Sequence, residues 1–496
     1  MIRSFAALAG FAAMAALLVW IAAGALAAAS ERTVTYRYLS DALTPVAAPD
    51  GAVTWQAPTR ALDRAVTPAD QALTGRALSD AFQTLAVAQS TGETGTLADG
   101  FTGIALGRAL ASVADAKEGG GRMAVLQIAA RPTFFHRDGS VLQAELTLTT
   151  ARFRAEGAED GAIVTLDHGV ATLMNESSGW RVASWELRKM APVEPTRAAV
   201  APGDLRGLNY YPAATPWRAF WRSYDSATVA ADLAWIAEMG GTAVRIFLPR
   251  EAFADDTTDL ANLSDLLALA RRSGLRVIPT LFDLKGNYGP GTWAGDAAWL
   301  GRVLPVLRAS GAVAFVDLKN EPDLDFQRQG TATVLAWLAA MAAQSRQIAP
   351  DLPLSVGWSA AEHAARMAEA LDVVSYHDYA EPAGVRTRLA GVRRVAGDRP
   401  VVVSEIGHSS YELALGFPGS PEAQAAALAM RLEALAPADG VLVWTLHDFP
   451  KVDAAAIGSS PWVRRLQSSF GLVGRDGLEK PAAAAVRAAF AAREAP

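Results

Sequence analysis

Two glutamates, Glu321 and Glu405, each follow a short apolar run of the kind that forms a buried strand. Glu321 stands in Asn320-Glu321-Pro322, and Glu405 stands in Ser404-Glu405-Ile406-Gly407. A pair of carboxyl groups on facing strand ends can hydrolyse a glycosidic bond, because one protonates the departing oxygen while the other attacks the anomeric carbon or activates water. One such glutamate alone is as easily a surface ion pair, but two in compact motifs favour catalysis.

Eight apolar runs follow residue 204, and amphipathic stretches such as Leu260–Arg272 and Val334–Gln347 separate them. Eight strand–helix units over about 290 residues predict an α/β fold, a (β/α)8 barrel, with its active site at the carboxyl ends of the strands. The fifth and sixth runs are close in sequence, so we expect an abbreviated helix between them. The predicted strands begin near Leu205, Thr242, Leu275, Ala312, Leu354, Val373, Val401 and Val441.

Polar and aromatic residues stand at or near the predicted strand ends, and we expect them to converge on one rim. Arg245 lies inside the second apolar run, where a buried guanidinium requires a carboxylate partner. It is placed to hold Glu405 anionic by charge and hydrogen bonding. The expected substrate-binding residues are Asn209, Arg245, Asp283, Asn320, Trp358, His377, Tyr379 and Trp444.

Together these motifs resemble the retaining glycosidases of clan A, and most nearly the cellulase family, glycoside hydrolase family 5. The resemblance covers about residues 205–496. The motifs that carry it are Arg206-Gly207-Leu208-Asn209, Arg245, Asn320-Glu321-Pro322, His377 with Tyr379, Ser404-Glu405-Ile406-Gly407, Trp444 and the stretch from Phe470 to Gly477.

The resemblance implies that Glu321 is the general acid/base, with a raised pKa, and that Glu405 is the nucleophile. It further implies that Asn320 binds the sugar 2-hydroxyl, that Tyr379 donates to the nucleophile and that Trp444 faces the sugar ring. His377 would line the same subsite. The implied reaction needs no metal or other cofactor, retains the anomeric configuration and places the carboxyl groups ~5–5.5 Å apart. The implied substrate is a β-linked polysaccharide or oligosaccharide of the glucan or mannan type.

The sequence departs from the family at the third strand. Members usually carry a histidine there, whereas this chain has Phe282-Asp283-Leu284-Lys285, and we expect Asp283 to take its place. Three further aromatic residues, Tyr288, Trp293 and Trp358, either line a cleft for more sugar units or cover the barrel rim.

Residues 1–30 are typical of a signal peptide or an N-terminal membrane anchor. Arg3 is the only charge before Glu31, and an apolar run of residues 5–29 follows it, long enough to tether the chain to a membrane. We therefore expect an extracytoplasmic protein, either periplasmic or secreted, or anchored to the inner membrane. Residues 31–65 are interpreted as a linker.

Residues 66–191 predict a small α+β domain. Helical spacing at 69–87 and 104–113 precedes four alternating runs, at 123–135, 141–153, 163–174 and 180–187, that predict a curved antiparallel sheet. The element order and the strand start Gly179-Trp180-Arg181-Val182 are similar to the nuclear-transport-factor-2-like superfamily over about residues 66–190. That superfamily includes enzymes and binding modules, so it implies no function. A second linker, 192–203, leads to the barrel domain, 204–496.

The amino-acid composition excludes several classes of protein and of catalytic chemistry. Of the 496 residues 51% are hydrophobic and 19% charged, which excludes a disordered chain. The net charge of −6 argues against nucleic-acid binding, and the absence of cysteine excludes thiolate chemistry. A monomer that binds sugars is expected. Two alternatives stay open: a metal-dependent barrel hydrolase, although no His-x-His pair stands on a strand, and a catalytically inactive carbohydrate-binding or scaffold protein.

Overall fold

The computed structural model describes residues 53–153, 161–177, 179–193, 197–200, 203–253, 256–414, 417–458 and 460–494. The predicted leader, 1–30, and most of the predicted linker 31–65 lie outside these residues. Within the described ranges, no helix is both long enough and apolar enough to cross a bilayer.

The N-terminal domain is a sheet of five described strands, packed on one face by helices. Its strand order follows the sequence, and β2 to β5 form an antiparallel meander. Its elements are β1 (Val53–Trp55), α1 (Pro68–Thr91), α2 (Leu97–Gly100), α3 (Gly103–Lys117), β2 (Arg122–Phe135), β3 (Val141–Phe153), β4 (Ile163–Glu176) and β5 (Gly179–Pro192).

The short strand β1 lies within the segment predicted to be a linker. It pairs in parallel with Ile128–Ala130 of β2, so the sheet extends further toward the N-terminus than the 66–191 boundary allows. Three residues are too few for an alternating pattern to indicate a strand, which is why the sequence did not reveal it.

Eight parallel strands of the described chain close into a barrel, as the sequence predicts. Their central residues are buried, because helices cover the outside and side chains fill the inside. The strands are β6 (Leu205–Asn209), β7 (Ala243–Phe247), β8 (Arg276–Thr280), β9 (Val316–Asn320), β10 (Leu354–Trp358), β11 (Val374–His377), β12 (Val401–Ile406) and, after a small hairpin of β13 (Glu412–Ala414) and β14 (Phe417–Pro418), β15 (Gly440–Val443).

Helices follow most barrel strands. Between β10 and β11, however, the fully described stretch 359–373 contains two 3-10 turns and no α-helix, in agreement with the short spacing of these two runs. The helices are α4 (Arg218–Arg222), α5 (Ser226–Glu238), α6 (Asp256–Arg272), α7 (Trp293–Ser310), α8 (Phe326–Gln329), α9 (Thr331–Ile348), α10 (Val385–Ala396), α11 (Pro421–Ala434), α12 (Ala454–Ile457), α13 (Pro461–Gln467) and α14 (Pro481–Glu494).

The sheet of the N-terminal domain packs directly on the barrel helices. Leu126, Phe153 and Val164 belong to the same buried apolar cluster as Trp293 and Trp337, which lie on α7 and α9. Gln344 of α9 donates to the side chain of Gln127 on β2 at 3.2 Å. The two domains therefore share a continuous core.

Candidate active site

Strand register places the predicted site residues side by side at the carboxyl rim of the barrel. Asn209 of β6 is opposite Arg245 of β7, and His377 of β11 is opposite Glu405 of β12. Gly357 of β10 lies opposite Asn320 of β9. A Cβ atom on Gly357 would lie 3.0 Å from both Arg245 Nη2 and Asp317 Oδ2, so a glycine here leaves room for the polar cluster.

Arg245 is the centre of that cluster and is fully buried. Its Nη1 donates to Glu405 Oε1 at 2.5 Å and to Asn209 Oδ1 at 3.0 Å, and its Nη2 donates to Asn320 Oδ1 at 2.8 Å. Burial works to lower the pKa of Arg245, but the charges of Asp317 and Glu405 outweigh it and raise that pKa. The guanidinium therefore stays charged and fixes Glu405. Since both Arg245 and Asn209 are fully buried, they act through their neighbours and do not face a substrate, contrary to the prediction.

Asp317 is a site residue that sequence reasoning missed. Its Oδ2 accepts from Arg245 Nη2 at 2.6 Å and from Thr280 Oγ1 at 2.9 Å, while its Oδ1 accepts from the Gly357 amide at 2.8 Å. The signal was present in the sequence, because a carboxylate within the apolar run Val316-Asp317-Leu318 requires a buried cation, just as Arg245 requires an anion.

Glu405 is 6% exposed and is held at both carboxylate oxygens. Arg245 binds Oε1, and the Tyr379 hydroxyl donates to Oε2 at 2.8 Å. Tyr379 itself is 39% exposed, so this tyrosine forms part of the open surface of the site. Two donors of this kind fix the orientation of the carboxylate within the site.

Glu321 lies at the end of β9 in a left-handed backbone conformation, with φ of 46°. Its amide donates to Gly357 O at 2.7 Å, and its Oε1 lies 2.8 Å from His377 Nδ1. A quarter of its side chain is exposed. Glu321 is thus the carboxyl group of the pair that is more open to an incoming ligand.

The pKa of Glu321 is lowered in this open site, opposite to the expected direction. Burial works to raise it, but the hydrogen bond and charge of His377, together with Lys319 and Arg245, outweigh burial. For His377, burial works to lower the pKa, but the charge of Glu405 and the hydrogen bond to Glu321 raise it. The pair therefore keeps one proton up to a higher pH than an isolated histidine would.

The two carboxyl groups are close together. A carboxylate oxygen of Glu321, a ring nitrogen of His377 and a carboxylate oxygen of Glu405 all lie within 4.8 Å of one another. This spacing could also hold a metal ion. However, Arg245 already places a buried positive charge against Glu405. A divalent ion at this position would have to compete with that guanidinium for Glu405 Oε1.

Asp283 and an aromatic wall flank the cluster. Asp283 follows β8, is 4% exposed and accepts from the Tyr211 hydroxyl at 3.0 Å. Burial raises the pKa of Asp283 to about 6. Tyr211 stacks on Phe247, with ring centroids 5.1 Å apart, and meets the edge of Trp444 at 6.4 Å. Trp444 is 7% exposed.

The sequence predicts that Trp358 lies against the site, but the structure places it elsewhere. This indole is 1% exposed and packs against Phe326 and His363. Tyr288 and Trp293 are also fully buried, so all three aromatic residues cover the barrel rim. Asn320 is partly exposed; its Oδ1 accepts from Arg245, and no described residue accepts from its amide nitrogen.

No protein-family model and no curated protein matches this sequence. Among solved structures, an exo-β-1,4-mannosidase, Op5Man5 from Opitutaceae bacterium strain TAV5, matches with a TM-score of 0.50 and 20% identity, over 62% of each chain. A GH5_18 protein from Streptomyces cattleya in complex with GlcNAc matches with a TM-score of 0.47 and 20% identity, over 60% of this chain and 82% of its own. A β-D-glucuronidase from Dictyoglomus thermophilum matches with a TM-score of 0.47 and 12% identity, over 74% of this chain and 69% of its own.

The chain thus spans less than two thirds of the Opitutaceae mannosidase. At 20% identity that likeness concerns the fold, and the fold is the (β/α)8 barrel that the sequence predicts. The Opitutaceae protein is by name an exo-β-1,4-mannosidase.

Proposed function

We propose that the barrel, residues 204–494, is a retaining β-glycosidase that cleaves a β-linked polysaccharide or oligosaccharide of the mannan or glucan type. The observation that carries the proposal is the closeness of Glu321 and Glu405, which offer oxygen atoms within 4.8 Å of each other. Retaining glycosidases hold their carboxyl groups ~5–5.5 Å apart, whereas inverting enzymes need ~6.5–9.5 Å to admit a water molecule between them.

In the first step, Glu405 attacks the anomeric carbon while Glu321 transfers a proton to the departing glycosidic oxygen. The C–O bond to the leaving sugar breaks, and an ester between Glu405 and the remaining sugar forms. Arg245 and Tyr379, which donate to the two oxygens of Glu405, orient the attacking carboxylate. In the second step, Glu321 removes a proton from water, and the resulting attack on the anomeric carbon releases Glu405.

The His377–Glu321 pair supplies the proton. With the site open, the pair favours imidazolium and carboxylate, since the pKa of His377 is raised and that of Glu321 is lowered. A bound sugar would cover the exposed quarter of Glu321, and desolvation favours the neutral form of an ion pair. The proton would then move along the 2.8 Å hydrogen bond to Glu321, where the leaving group needs it.

A panel of aryl β-glycosides and β-linked polysaccharides, with products analysed by chain length, tests this function. We expect hydrolysis of a mannoside or glucoside by the wild type and no hydrolysis by Glu405→Gln, which keeps the size of the side chain. A wild type that binds a polysaccharide in the panel but cleaves none would instead support the carbohydrate-binding alternative. Activity that disappears with a chelator and returns with a divalent ion would support the metal-dependent alternative.

We also propose that the protein is exported and works as a monomer. The support for export is the apolar run of residues 5–29 behind a single basic residue. Cell fractionation and mass determination of the mature N-terminus test the export, and sedimentation velocity tests the oligomeric state. Recovery of the full-length chain from the cytoplasm would contradict export.

A further inference from the structure

The loop that joins β8 to α7, residues 281–292, contacts the N-terminal domain at one point, and the first residue of α7 contacts it at another. The Phe153 ring at the end of β3 lies against Trp293 at the start of α7, with centroids 4.8 Å apart. At the second point, a Cβ atom on Gly291 would lie 2.7 Å from Val87 Cγ2 of α1. The backbone of Gly291 does not have a positive φ, so the obstacle to a larger residue is the close approach of Val87, whose side chain would have to shift.

Both contacts continue into the loop through hydrogen bonds. Trp293 Nε1 donates to Tyr288 O at 2.9 Å, and the Tyr288 hydroxyl donates to Asp325 Oδ2 at 2.8 Å. Next to Gly291, Thr292 Oγ1 accepts from Lys285 Nζ at 3.2 Å. Lys285 also lies 2.7 Å from the buried carboxylate of Asp296. The loop is therefore fixed by direct contacts with the N-terminal domain at one end and with the barrel along its length.

The same loop forms one wall of a cavity of about 100 Å³ that is connected to Arg245 through Asp283, Tyr211 and Phe247. Asp283 lies in this wall and accepts from Tyr211, which stacks on Phe247. Phe247 in turn lies under the Arg245 guanidinium at 4.7 Å. The cavity is lined by Arg250, Glu251, Phe282, Asp283, Lys285, Gly286, Asn287, Thr292 and Asp296.

We infer that the N-terminal domain positions this wall of the substrate site, with Phe153 and Val87 acting as positioning residues for the loop that carries Asp283. The inference rests on the proposed function for its kinetic consequence, because the ligand held by that wall is the glycoside. The contacts of Phe153 and Val87 with this region do not depend on which reaction the site performs. Displacement of a site wall by a fraction of an ångström weakens substrate binding while the distant core stays intact.

Two matched pairs of full-length variants test the inference. Gly291→Ala pushes against Val87, whereas Gly301→Ala on α7 places its Cβ where nothing lies within 4 Å. Phe153→Ala removes the contact with Trp293, whereas Phe82→Ala removes a buried ring from the domain's own core, against Trp185 and Phe101. The readouts are amide hydrogen exchange of residues 284–292 and the separate values of kcat and KM.

We expect Gly291→Ala and Phe153→Ala to speed exchange of residues 284–292 and to lower kcat/KM about tenfold, mainly through KM. Gly301→Ala should stay within about twofold of wild type in both readouts, and Phe82→Ala should lower the melting temperature without changing exchange of the loop. Unchanged exchange of residues 284–292 in both test variants, or equal effects in test and control variants, would overturn the inference. A wild type without glycosidase activity would refute the proposed function. The exchange result would still show whether contacts with the N-terminal domain hold residues 284–292 in place.

Discussion

His377 connects the two carboxyl groups of the site: its Nδ1 lies 2.8 Å from Glu321 Oε1, and its Nε2 lies 3.6 Å from Glu405 Oε1. Its Nε2 has no hydrogen-bond partner among the described residues. One imidazole is therefore sensitive to the charge of both carboxylates. When Glu405 becomes esterified and loses its charge, one of the interactions that raise the pKa of His377 disappears. The pair has by then given its one proton to the departing sugar, so the loss of this interaction keeps the imidazole neutral and leaves Glu321 free to act as a base.

This arrangement predicts the pH dependence of His377→Gln. In the wild type, activity should fall as pH rises through the raised pKa that the His377–Glu321 pair shares, because the pair then loses its last proton. In the variant Glu321 alone must keep the proton, and its pKa as a carboxyl group lies lower than that of the pair. We expect the alkaline limb of kcat/KM to move to lower pH by about one unit or more. A limb at an unchanged pH would show that the pair does not hold the catalytic proton.

Glu321→Gln and Glu405→Gln should differ in their dependence on the leaving group. A general acid contributes ~10²–10⁴-fold for a poor leaving group. A dinitrophenolate needs no proton, so Glu321→Gln should retain most of the rate of the first step with a dinitrophenyl glycoside. Glu405→Gln should lose roughly 10⁴-fold or more with either substrate, since the nucleophile is gone. Stopped-flow release of the phenol measures both, and a loss that is equal for the two leaving groups in Glu321→Gln would contradict its assignment.

Most of the barrel could be predicted from the sequence, because parallel strands buried on both faces are recognisable as apolar runs. Seven of the eight strands begin within one residue of the predicted starts, while the fourth begins at Val316 instead of Ala312. There, Val313 makes only an isolated bridge with Val277 before the regular strand begins. The positions of Glu321 and Glu405 at the ends of β9 and β12 also followed from the sequence.

The supporting residues were harder to predict. Asp317, Tyr211 and Lys319 stand in the predicted strands or at their ends, but their partners come from strands that are distant in sequence, and only the closed barrel brings them together. Local pattern also cannot show that Trp358 is covered, because burial at the rim depends on the neighbouring loop. The contact of the N-terminal domain with the loop after β8 has no sequence signal beyond a glycine at 291.

Arg245→Met should destabilise the protein as well as inactivate it. The variant removes the cation shared by Asp317 and Glu405, which are 1% and 6% exposed, and leaves two buried carboxylates close together. Breaking a buried pair typically costs about 3–5 kcal/mol. We expect a lower melting temperature at pH 7 and a partial recovery in acid, where the carboxylates become protonated. Arg245→Lys should rescue stability only in part, because an ammonium group cannot reproduce the forked donation. A melting temperature unaffected by Arg245→Met would contradict this role.

Asp283→Asn should change how stability depends on pH. In the wild type the folded protein binds the Asp283 proton more tightly than the unfolded chain, because burial raises the pKa from 3.8 to about 6. The contribution of Asp283 to wild-type stability should therefore fall as pH rises between these values, by about 3 kcal/mol at ~1.36 kcal/mol per pKa unit. The neutral asparagine removes this dependence. The free energy of unfolding of the variant should therefore rise relative to that of the wild type from pH 4 to pH 7. Parallel denaturation curves for the two proteins at every pH would refute the assignment.

The central claim, double displacement by Glu321 and Glu405 at a spacing of less than ~5.5 Å, is tested most directly by the stereochemistry of the first product. Proton NMR recorded within minutes of adding enzyme to a β-linked substrate identifies the anomer released before mutarotation. Release of the β-anomer is the result predicted by the closeness of the two carboxyl groups. Release of the α-anomer would mean that water attacks directly, and it would contradict the account.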